Sequence, residues 1–336
     1  MTEPIPIFNC TACGICCKSI GPAILRAKQL VEAGNADEKT AEIASFPFAY
    51  DSNGTCEKLL PDNTCSVYDS RPDICSVEKT WAKYHQEYFS IERYFSINEL
   101  ACMYLQLANE KNNQPAMNNS EKTLLLQVVT KDIESYAIYS TQINKSYAHK
   151  HGYDFKIVDN VRPNRHAAWA KVDWAMRELF VRGYGRVFVL DADAFINNHD
   201  ITLDSFDFRK PINICRNDQN GGELLNTGSI VYQNFPNTVD LLLKWYHACE
   251  GTRYTHDYFW EQSIFNSLHN SGQIVPLDPA FAEMTAVYDS RAFNSWWLDP
   301  TPNYYNPSQF VMHVMARSTE EKTAIMQGHY NRFFKL

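Results

Sequence analysis

The sequence predicts an α/β domain that follows a small cysteine-rich metal-binding domain. Eight of the ten cysteines precede residue 103. Beyond residue 122, apolar runs that are typical of buried strands alternate with amphipathic segments. The third run, residues 186–190, is followed at once by Asp191 and Asp193. Alternating strands and helices predict a nucleotide-binding α/β sandwich, in which ligands gather at the carboxyl ends of the strands.

Composition and charge exclude several classes of protein. Hydrophobic residues make up 45% of the 336 residues and charged residues 21%, which is typical of a globular chain. The net charge of -8 offers no basic face for phosphates, so we expect no nucleic-acid partner. The sequence has no run of about 18 apolar residues and no signal-peptide pattern at its start. We therefore expect a cytoplasmic protein without a membrane span.

Thiols dominate the first predicted domain, residues 1–108. Cys-x-x-Cys spacing lets two thiolates approach one ion across a tight turn, and Gly14 permits the backbone conformation that such a turn needs. Clustered thiols in a reducing compartment are more often metal ligands than disulfides. The thiols in question are Cys10, Cys13, Cys16 and Cys17, followed by Cys56, Cys65 and Cys75.

These cysteines resemble the YkgJ-type cysteine-cluster family, which is described as zinc- or iron-chelating. The shared pattern is Cys-x-x-Cys-x-x-Cys-Cys, then a Cys, then Cys-x-x-Tyr-x-x-Arg-Pro and a final Cys, over about the first 80 residues. Thiolates suit Zn²⁺ or an iron–sulfur cluster. Adjacent Cys16 and Cys17 cannot easily serve one tetrahedral ion together, so one of them is expected to bind a second metal or to be free. A structural and a functional role for the metal both stay open.

A polar, amide-rich stretch at residues 109–122 is interrupted by Pro115 and is interpreted as a linker. The domain that follows, residues 123–336, begins with three predicted strands separated by two predicted helices. Glycines end both helices, at Gly152 and Gly183. The strands are placed at residues 123–129, 153–158 and 186–190, and the helix faces at Tyr136, Tyr139, Ile143 and Tyr147, then at Trp169, Val172, Met176, Leu179 and Phe180.

The third strand carries the candidate metal site. Residues 187–190 are all apolar, which predicts a strand buried on both faces in the middle of a parallel sheet. The spacing of Asp191 and Asp193 places both carboxylates, expected to be exposed, on one side of the strand end. There they can hold a hard divalent cation that also binds diphosphate oxygens. A simple Asp-rich turn is the alternative interpretation.

Five ordered motifs between Thr123 and His313 resemble the metal-dependent GT-A glycosyltransferases. The similarity is to the family of fungal mannan galactosyl- and mannosyltransferases and plant xyloglucan xylosyltransferases. That family carries a membrane anchor and works in the secretory pathway, so acceptor and location are not transferred to this chain. The motifs are Asn144-x-x-Tyr147-Ala148-x-x-His151-Gly152-Tyr153, Trp169-Ala-Lys171, Val187-Phe-Val-Leu-Asp191-Ala-Asp193, Asn226-Thr-Gly228-Ser229 and Glu261-Gln262.

The resemblance implies transfer of a hexose or pentose, with retention, from a nucleotide sugar to a glycan or other acceptor. A UDP-sugar is the expected donor, and Mn²⁺ or Mg²⁺ would stabilise the leaving diphosphate as a Lewis acid. The family also places a C-terminal histidine on the metal, which corresponds here to His313.

The sequence and the resemblance together assign roles to individual residues. The predicted catalytic set is Asp191, Asp193, Glu261 and Gln262, with Asp257 as a further acidic neighbour of the sugar. Lys171 would meet the diphosphate or the sugar, or else be an ordinary exposed lysine. Gly228 would allow a sugar ring to approach closely. The predicted donor-binding residues are Thr130, Lys171, Asp191, Asn226, Gly228 and Gln262, and the predicted metal ligands are Asp191, Asp193 and His313.

Two rival functions remain at this point. Haloacid-dehalogenase phosphatases also place an Asp-x-Asp after a strand, but at the first strand of the domain and followed by Thr or Val two residues on. Here two strand–helix units precede it and Ala194 follows directly, which disfavours a phosphatase. The second rival is a cysteine-cluster metal carrier or redox module attached to a degenerate sugar-nucleotide-binding domain.

Overall fold

The computed structural model describes residues 8, 10, 13–113, 119–159, 161, 165–217, 224–257, 259–296 and 309–335, with the backbone alone at residues 92, 96 and 100. The chain divides into two compact units, Met1–Asn113 and Gln114–Leu336. Among the described residues, no helix combines the length and the apolar character that crossing a membrane requires.

The first unit consists of short helices and tight turns. Asp37 and Ser90 cap two of the helices by accepting hydrogen bonds from backbone N–H groups three residues on. Isolated bridges join Tyr50 to Cys56 and Leu59 to Cys65. The described helices are α1 (Ile15–Lys18), α2 (Ile20–Glu32), α3 (Glu38–Ala44), α4 (Val77–Thr80) and α5 (Ile91–Asn112).

Helix α5 extends beyond the predicted end of the first domain. Residues 109–112, which the sequence assigned to the linker, form its last turn. The physical reason is that Asn, Glu and Lys are tolerated in a helix, and the sequence offers no glycine or proline until Pro115. The polar composition indicated exposure, and exposure alone does not end a helix.

The second unit is built on a six-stranded sheet and a three-stranded sheet. Its described helices are α6 (Glu134–Lys150), α7 (Ala170–Phe180), α8 (Thr238–Ala248), α9 (Trp260–Asn266), α10 (Pro279–Glu283), α11 (Ser290–Phe293) and α12 (Thr319–Phe334). Its described strands are β1 (Thr123–Val128), β2 (Asp154–Val158), β3 (Arg186–Leu190), β4 (Ala194–Ile196), β5 (Ile212–Arg216), β6 (Leu225–Gln233), β7 (Thr285–Tyr288), β8 (Ser295–Trp296) and β9 (Val311–His313).

The larger sheet has the order β2-β1-β3-β6-β5-β7. Strand β1 is parallel to both β2 and β3, as the predicted strand–helix–strand–helix–strand order requires. Strand β3 is buried on both faces, but its other neighbour, β6, is antiparallel. The expectation of a wholly parallel environment was therefore wrong, because an apolar run reports burial and not the direction of a neighbouring strand. The predicted α/β class is confirmed.

The smaller sheet brings distant residues to the end of β3. Strand β4 begins directly after Asp193 and pairs antiparallel with β9, with Ala194 opposite His313. Helix α12 packs against α6 over a core that includes Phe195, Met312 and Met326. This pairing carries residue 313 to the candidate metal site.

Candidate active site

The turn that carries Asp191 and Asp193 is held by its own backbone and by two strands beside it. The Asp191 N–H donates to the Gly228 carbonyl at 2.8 Å, and the Ala194 N–H donates back to the Asp191 carbonyl at 3.0 Å. From β9's side, the Val314 N–H donates to the Asp193 carbonyl at 2.9 Å. Backbone hydrogen bonds before, within and after the turn therefore fix how the two carboxylates are presented.

Helix α6 holds the same turn through buried polar side chains. The Ser140 hydroxyl donates to the Ala192 carbonyl at 2.6 Å. The Asn144 side chain donates to the Ala194 carbonyl at 3.0 Å and accepts from the Ile196 N–H at 2.8 Å. Asn144 belongs to a motif that the sequence singled out, and in the structure it positions the aspartates without lining the cavity beside them.

Asp191 shares a buried lysine with Glu261. The ammonium of Lys171 lies 2.7 Å from Asp191 Oδ1, 2.8 Å from Glu261 Oε1 and 3.1 Å from the Thr227 carbonyl oxygen. Burial alone would lower the pKa of Lys171, but the two carboxylates raise it above its usual value. The alternative of an exposed helix lysine is wrong, because the ammonium contacts Asp191 and Thr227 and the side chain is only 5% exposed.

The Asp193 carboxylate is largely buried between a histidine and a lysine. His313 Nε2 lies 3.0 Å from Oδ1, and the Lys322 ammonium lies 2.7 Å from Oδ2. Burial would raise the pKa of Asp193, but His313 and Lys322 overcome that effect and hold the pKa well below its usual range. The expected exposure of this carboxylate was wrong, since its side chain is 14% exposed.

The orientation of His313 is fixed by Asn294. The Asn294 amide NH₂ donates to the carbonyl and to Oδ1 of Asn226, at 3.2 and 2.8 Å, so its oxygen faces His313 Nδ1 at 3.1 Å. Nδ1 therefore carries a proton and donates it to Asn294. Nε2 then faces the carboxylates of Asp193 and Asp191, at 3.0 and 3.9 Å, with either a second proton or a free lone pair.

This arrangement has the donor set of a divalent cation site. One ligand atom each from Asp191, Asp193 and His313 lies within 4.8 Å of the others. An unprotonated Nε2 would repel two carboxylates unless a cation lay among them, and an imidazole with carboxylates suits Mn²⁺. The donor chemistry therefore fits the implied metal, with Asn294 as the group that orients the histidine.

Gly228 has a different neighbour from the one expected. A Cβ atom at this position would lie 2.0 Å from Cε1 and 2.6 Å from Nδ1 of His313. The imidazole of His313 therefore occupies the space in which a side chain of residue 228 would lie. The expected close approach of a sugar ring is wrong for this side of Gly228, because the histidine is already there. The Asn226 side chain, which accepts the Gly228 N–H at 2.9 Å, supports the same contact.

Gly228→Ala is expected to displace His313 from the aspartates without changing any charged group. Because the added methyl overlaps the imidazole ring, Mn²⁺ affinity should fall about 10- to 100-fold, as it does when groups that orient a ligand are lost. Calorimetric titration with Mn²⁺ would measure this. Gly251→Ala is the control, since nothing lies within 4 Å of its added methyl, although its φ of +71° makes the substitution mildly strained. An unchanged titration in Gly228→Ala would contradict the arrangement.

The aspartates open onto a cavity of about 520 Å³. Gln262 lies at its wall and accepts a hydrogen bond from the Thr227 N–H at 3.1 Å, while the Thr227 hydroxyl donates to Glu261 at 2.8 Å. Asp257 is exposed and pairs with Arg253, and it is not among the described residues that line the cavity. The predicted residues that do line it are Thr130, Lys171, Asp191, Asp193, Asn226, Glu261, Gln262 and His313.

Three residues of the site were not found from the sequence. These residues are Asn294, Lys322 and Thr227, which come from separate parts of the second unit. Asn294 and Lys322 stand outside the motifs that the sequence singled out. Thr227 was the nearest to discovery, because it stands inside the Asn226-Thr-Gly228-Ser229 motif. Its two contacts, with Glu261 and Gln262, join two of the predicted motifs.

The predicted thiol ligands all lie in the first unit. Cys56 is buried, whereas Cys10, Cys16 and Cys75 are exposed and the others are intermediate. Among the described residues, no three thiols all lie within 4.8 Å of one another. A tetrathiolate fits zinc or iron by its chemistry, and an ion would have to draw these sulfurs together. The remaining predicted thiols are Cys13, Cys17 and Cys65.

Comparison with known proteins supports the cysteine-cluster resemblance. Residues 9–111 match the model of the CxxCxxCC family, described as a "Putative zinc- or iron-chelating domain". The match reaches about 30 residues beyond the stretch that carried the resemblance in the sequence, and it includes Cys102. No curated protein matches the chain.

The solved structures to which the chain is similar include three glycosyltransferases. One is involved in glycosylation of the major capsid of PBCV-1, with 14% identity, 61% of this chain and 99% of that chain covered, and a TM-score of 0.48. GlyE of Streptococcus pneumoniae TIGR4 has 14% identity, 64% and 63% coverage and a TM-score of 0.40. The galactosyltransferase LgtC, in complex with donor and acceptor sugar analogs, has 13% identity, 61% and 95% coverage and a TM-score of 0.38.

Proposed function

We propose that the second unit is a metal-dependent glycosyltransferase. It would move a hexose or pentose from a nucleotide sugar, in the first place a UDP-sugar, to a glycan or other acceptor, with retention. Asp191, Asp193 and His313 would hold Mn²⁺ or Mg²⁺, which supplies Lewis-acid stabilisation of the leaving diphosphate. The first unit would bind zinc or iron through its thiols.

One observation carries the proposal. His313 lies 120 residues beyond Asp193 in the sequence, yet its Nε2 is 3.0 Å from that carboxylate. A buried histidine that only filled space would need no second carboxylate within 4 Å and no Asn294 to direct its other nitrogen. The packing interpretation therefore explains less of the geometry than a cation site does.

The other side chains of the cavity have separate tasks in this proposal. Lys171 keeps Asp191 oriented through a contact of 2.7 Å, and the same ammonium, 2.8 Å from Glu261, offsets the charge of that buried carboxylate. Gln262 presents its amide at the cavity wall, where its NH₂ group can donate to a sugar hydroxyl while its oxygen holds Thr227. We assign no catalytic base, since retention does not require one at a single identifiable residue.

His313→Ala tests whether His313 binds the cation together with the two aspartates. In the presence of UDP, Mn²⁺ affinity is expected to fall about 10- to 100-fold, taking the loss of a ligand's supporting partner as a lower guide. The measurement is a calorimetric titration of the full chain, with His149→Ala on the exposed face of α6 as the matched control. Equal Mn²⁺ affinity in the two variants, with circular dichroism unchanged, would assign His313 to packing.

A second candidate function is favoured by the two lysines. Lys171 lies 2.7 Å from Asp191 and Lys322 lies 2.7 Å from Asp193, and two such ion pairs would also suit a degenerate sugar-nucleotide-binding domain that holds its aspartates without a cation. The first unit would then be the working part, as a metal carrier or redox module. A panel of UDP-sugars, with and without Mn²⁺, is measured for UDP release and, by calorimetry, for binding. Ion-dependent release supports the transferase, and ion-independent binding without release supports the degenerate domain.

A further inference from the structure

Two aromatic rings from distant parts of the second unit form a stack at the wall of the cavity. The imidazole of His166, in the segment before α7, lies parallel to the indole of Trp260, the first residue of α9. Their ring centroids are 3.9 Å apart and their planes differ by 4°. Both residues line the cavity and both are partly exposed, so the stack offers an aromatic surface to a bound molecule.

Trp260 is held in a backbone conformation that a bulky residue rarely adopts. Its φ is +33°, a positive value that is strained for a residue with a large side chain. The backbone N–H of Trp260 donates to the Asp257 carbonyl at 2.8 Å, and its indole Nε1–H donates to the His256 carbonyl at 2.8 Å. His166 covers one face of the ring. Backbone strain that the surroundings hold in place in this way is concentrated at functional sites.

The segment that carries His166 is fastened to the segment that precedes α9. The His166 N–H donates to the Thr255 carbonyl at 3.0 Å. Three residues further on, the Trp169 Nε1–H donates to the Tyr254 carbonyl at 3.2 Å. Both rings of the stack are therefore held in place before any ligand binds, which reduces the ordering that binding would cost.

The stack adjoins the residues that the proposed function assigns to the transferred sugar. Trp260 directly precedes Glu261 and Gln262 in α9. Glu261 shares the Lys171 ammonium with Asp191, which connects this end of α9 to the proposed cation site. An acceptor must reach the transferred sugar from a neighbouring part of the same cavity, and the stack stands at such a place.

The chemistry of the stack suits a sugar ring. The face of an indole is electron-rich, and the axial C–H groups of a pyranose form an apolar face that is slightly positive. The hydroxyls around that face need hydrogen-bond partners. His166 can supply a donor, because its Nδ1 accepts the Ala168 N–H at 3.2 Å and the neutral ring therefore carries its proton on Nε2. Burial lowers the pKa of His166, which favours the neutral ring.

Given the proposed glycosyltransferase function, on which this inference rests, we propose that His166 and Trp260 form the acceptor subsite and that the acceptor presents a pyranose ring to them. The acceptor is then a carbohydrate, and its ring lies with one C–H face on the aromatic stack. Ala167 and Ala168, which also line the cavity, have side chains too small to keep a sugar ring away from the stack.

The test measures binding of simple glycosides to the full chain, with UDP and Mn²⁺ present, by saturation-transfer NMR. The probes are the methyl α- and β-glycosides of glucose, galactose, mannose and xylose. For at least one probe we expect the strongest transfer to the axial C–H protons of one ring face. Its Kd should rise about 10-fold or more in Trp260→Leu, with base–aromatic stacking as the guide.

Two further variants make this result specific to the aromatic face. Trp260→Phe keeps a ring at the same backbone position, so it should lose less glycoside affinity than Trp260→Leu. Tyr88→Leu, at a 75%-exposed aromatic residue of the first unit, is the control and should bind each probe as the parent does. Equal glycoside affinity in Trp260→Leu and the parent, or no glycoside binding by the parent, would overturn the subsite.

UDP binding separates an acceptor sugar from a nucleobase, which is also a flat ring. If the stack held the base of the donor, Trp260→Leu would weaken UDP binding more than glycoside binding, and that result would overturn the acceptor assignment. A failure of the proposed function gives another pattern: the parent releases no UDP from any UDP-sugar with Mn²⁺, and the acceptor assignment falls even if glycosides bind. If release depends on Mn²⁺ but glycoside binding is insensitive to Trp260→Leu, the function stands and the subsite alone is wrong.

Discussion

In the proposed transferase, Asp193→Asn is expected to reduce Mn²⁺-dependent release of UDP from a UDP-sugar by about 10²- to 10³-fold or more, the range found when one preorganised electrostatic group is lost at a reacting centre. The amide keeps the shape of the side chain but has no negative charge. It also leaves His313 and Lys322 facing a neutral partner. Metal affinity and turnover should therefore fall together.

Asp193→Asn should also change the free energy of unfolding, whereas the same substitution at an exposed carboxylate would change it little. The low pKa of Asp193 means that its ionised form stabilises the folded state above its unfolded pKa, and that this contribution is lost as pH falls through the folded value. We expect Asp193→Asn to lower the free energy of unfolding at pH 7 by about 1–3 kcal/mol.

Two further variants make the turnover result interpretable. Asp193→Asn combined with Lys322→Met removes the stranded ammonium, so it should recover stability while turnover stays low. Asp200→Asn, at an exposed carboxylate paired with Lys150, should change neither quantity appreciably. Full turnover in Asp193→Asn at saturating Mn²⁺ would contradict the metal role of this residue.

Lys171→Met is expected to produce the largest loss of stability. The substitution leaves Asp191 and the 4%-exposed carboxylate of Glu261 without their shared cation. Breaking a buried ion pair from one side costs about 3–5 kcal/mol, because a buried charge remains without a partner. In that variant the described partner left to the Glu261 carboxylate is the Thr227 hydroxyl at Oε1, since Oε2 is buried without a hydrogen-bond partner among the described residues.

The measurement is chemical denaturation of the full chain, read from the transition of the second unit. The double variant Lys171→Met with Glu261→Gln removes the buried charge as well as the lysine, so it should recover a large part of the lost stability. The parent, the two single variants and the double variant form a cycle that gives the coupling energy between Lys171 and Glu261. Lys145→Met, on the exposed face of α6, is the surface control. A loss below about 1 kcal/mol in Lys171→Met would show that Lys171 is not the buried counterion.

The sequence predicted the framework of the second unit well, because its strands are marked by local signals. The apolar runs at residues 123–128 and 186–190 are strands, and the helices between them face the core as the spacing of their apolar residues requires. Such periodicity depends only on neighbouring residues. The start of the linker, predicted at residue 109, falls inside α5, because polarity is a weaker signal for the end of a helix than a glycine or a proline.

What the sequence determined by itself is the set of chemical groups: clustered thiols before residue 103 and an Asp-x-Asp pair after a buried strand. The family resemblance, and no local pattern, named His313 as a partner of that pair, and the tertiary structure supplied the geometry of this contact and the other partners. The β4–β9 pairing sets His313 beside Asp193, the absent side chain of Gly228 makes room for its ring, and the fold buries Lys171 between two carboxylates. These contacts join residues 20 to 120 positions apart. Local sequence patterns carry no information on such pairs, because strand register and side-chain burial are properties of the packed chain.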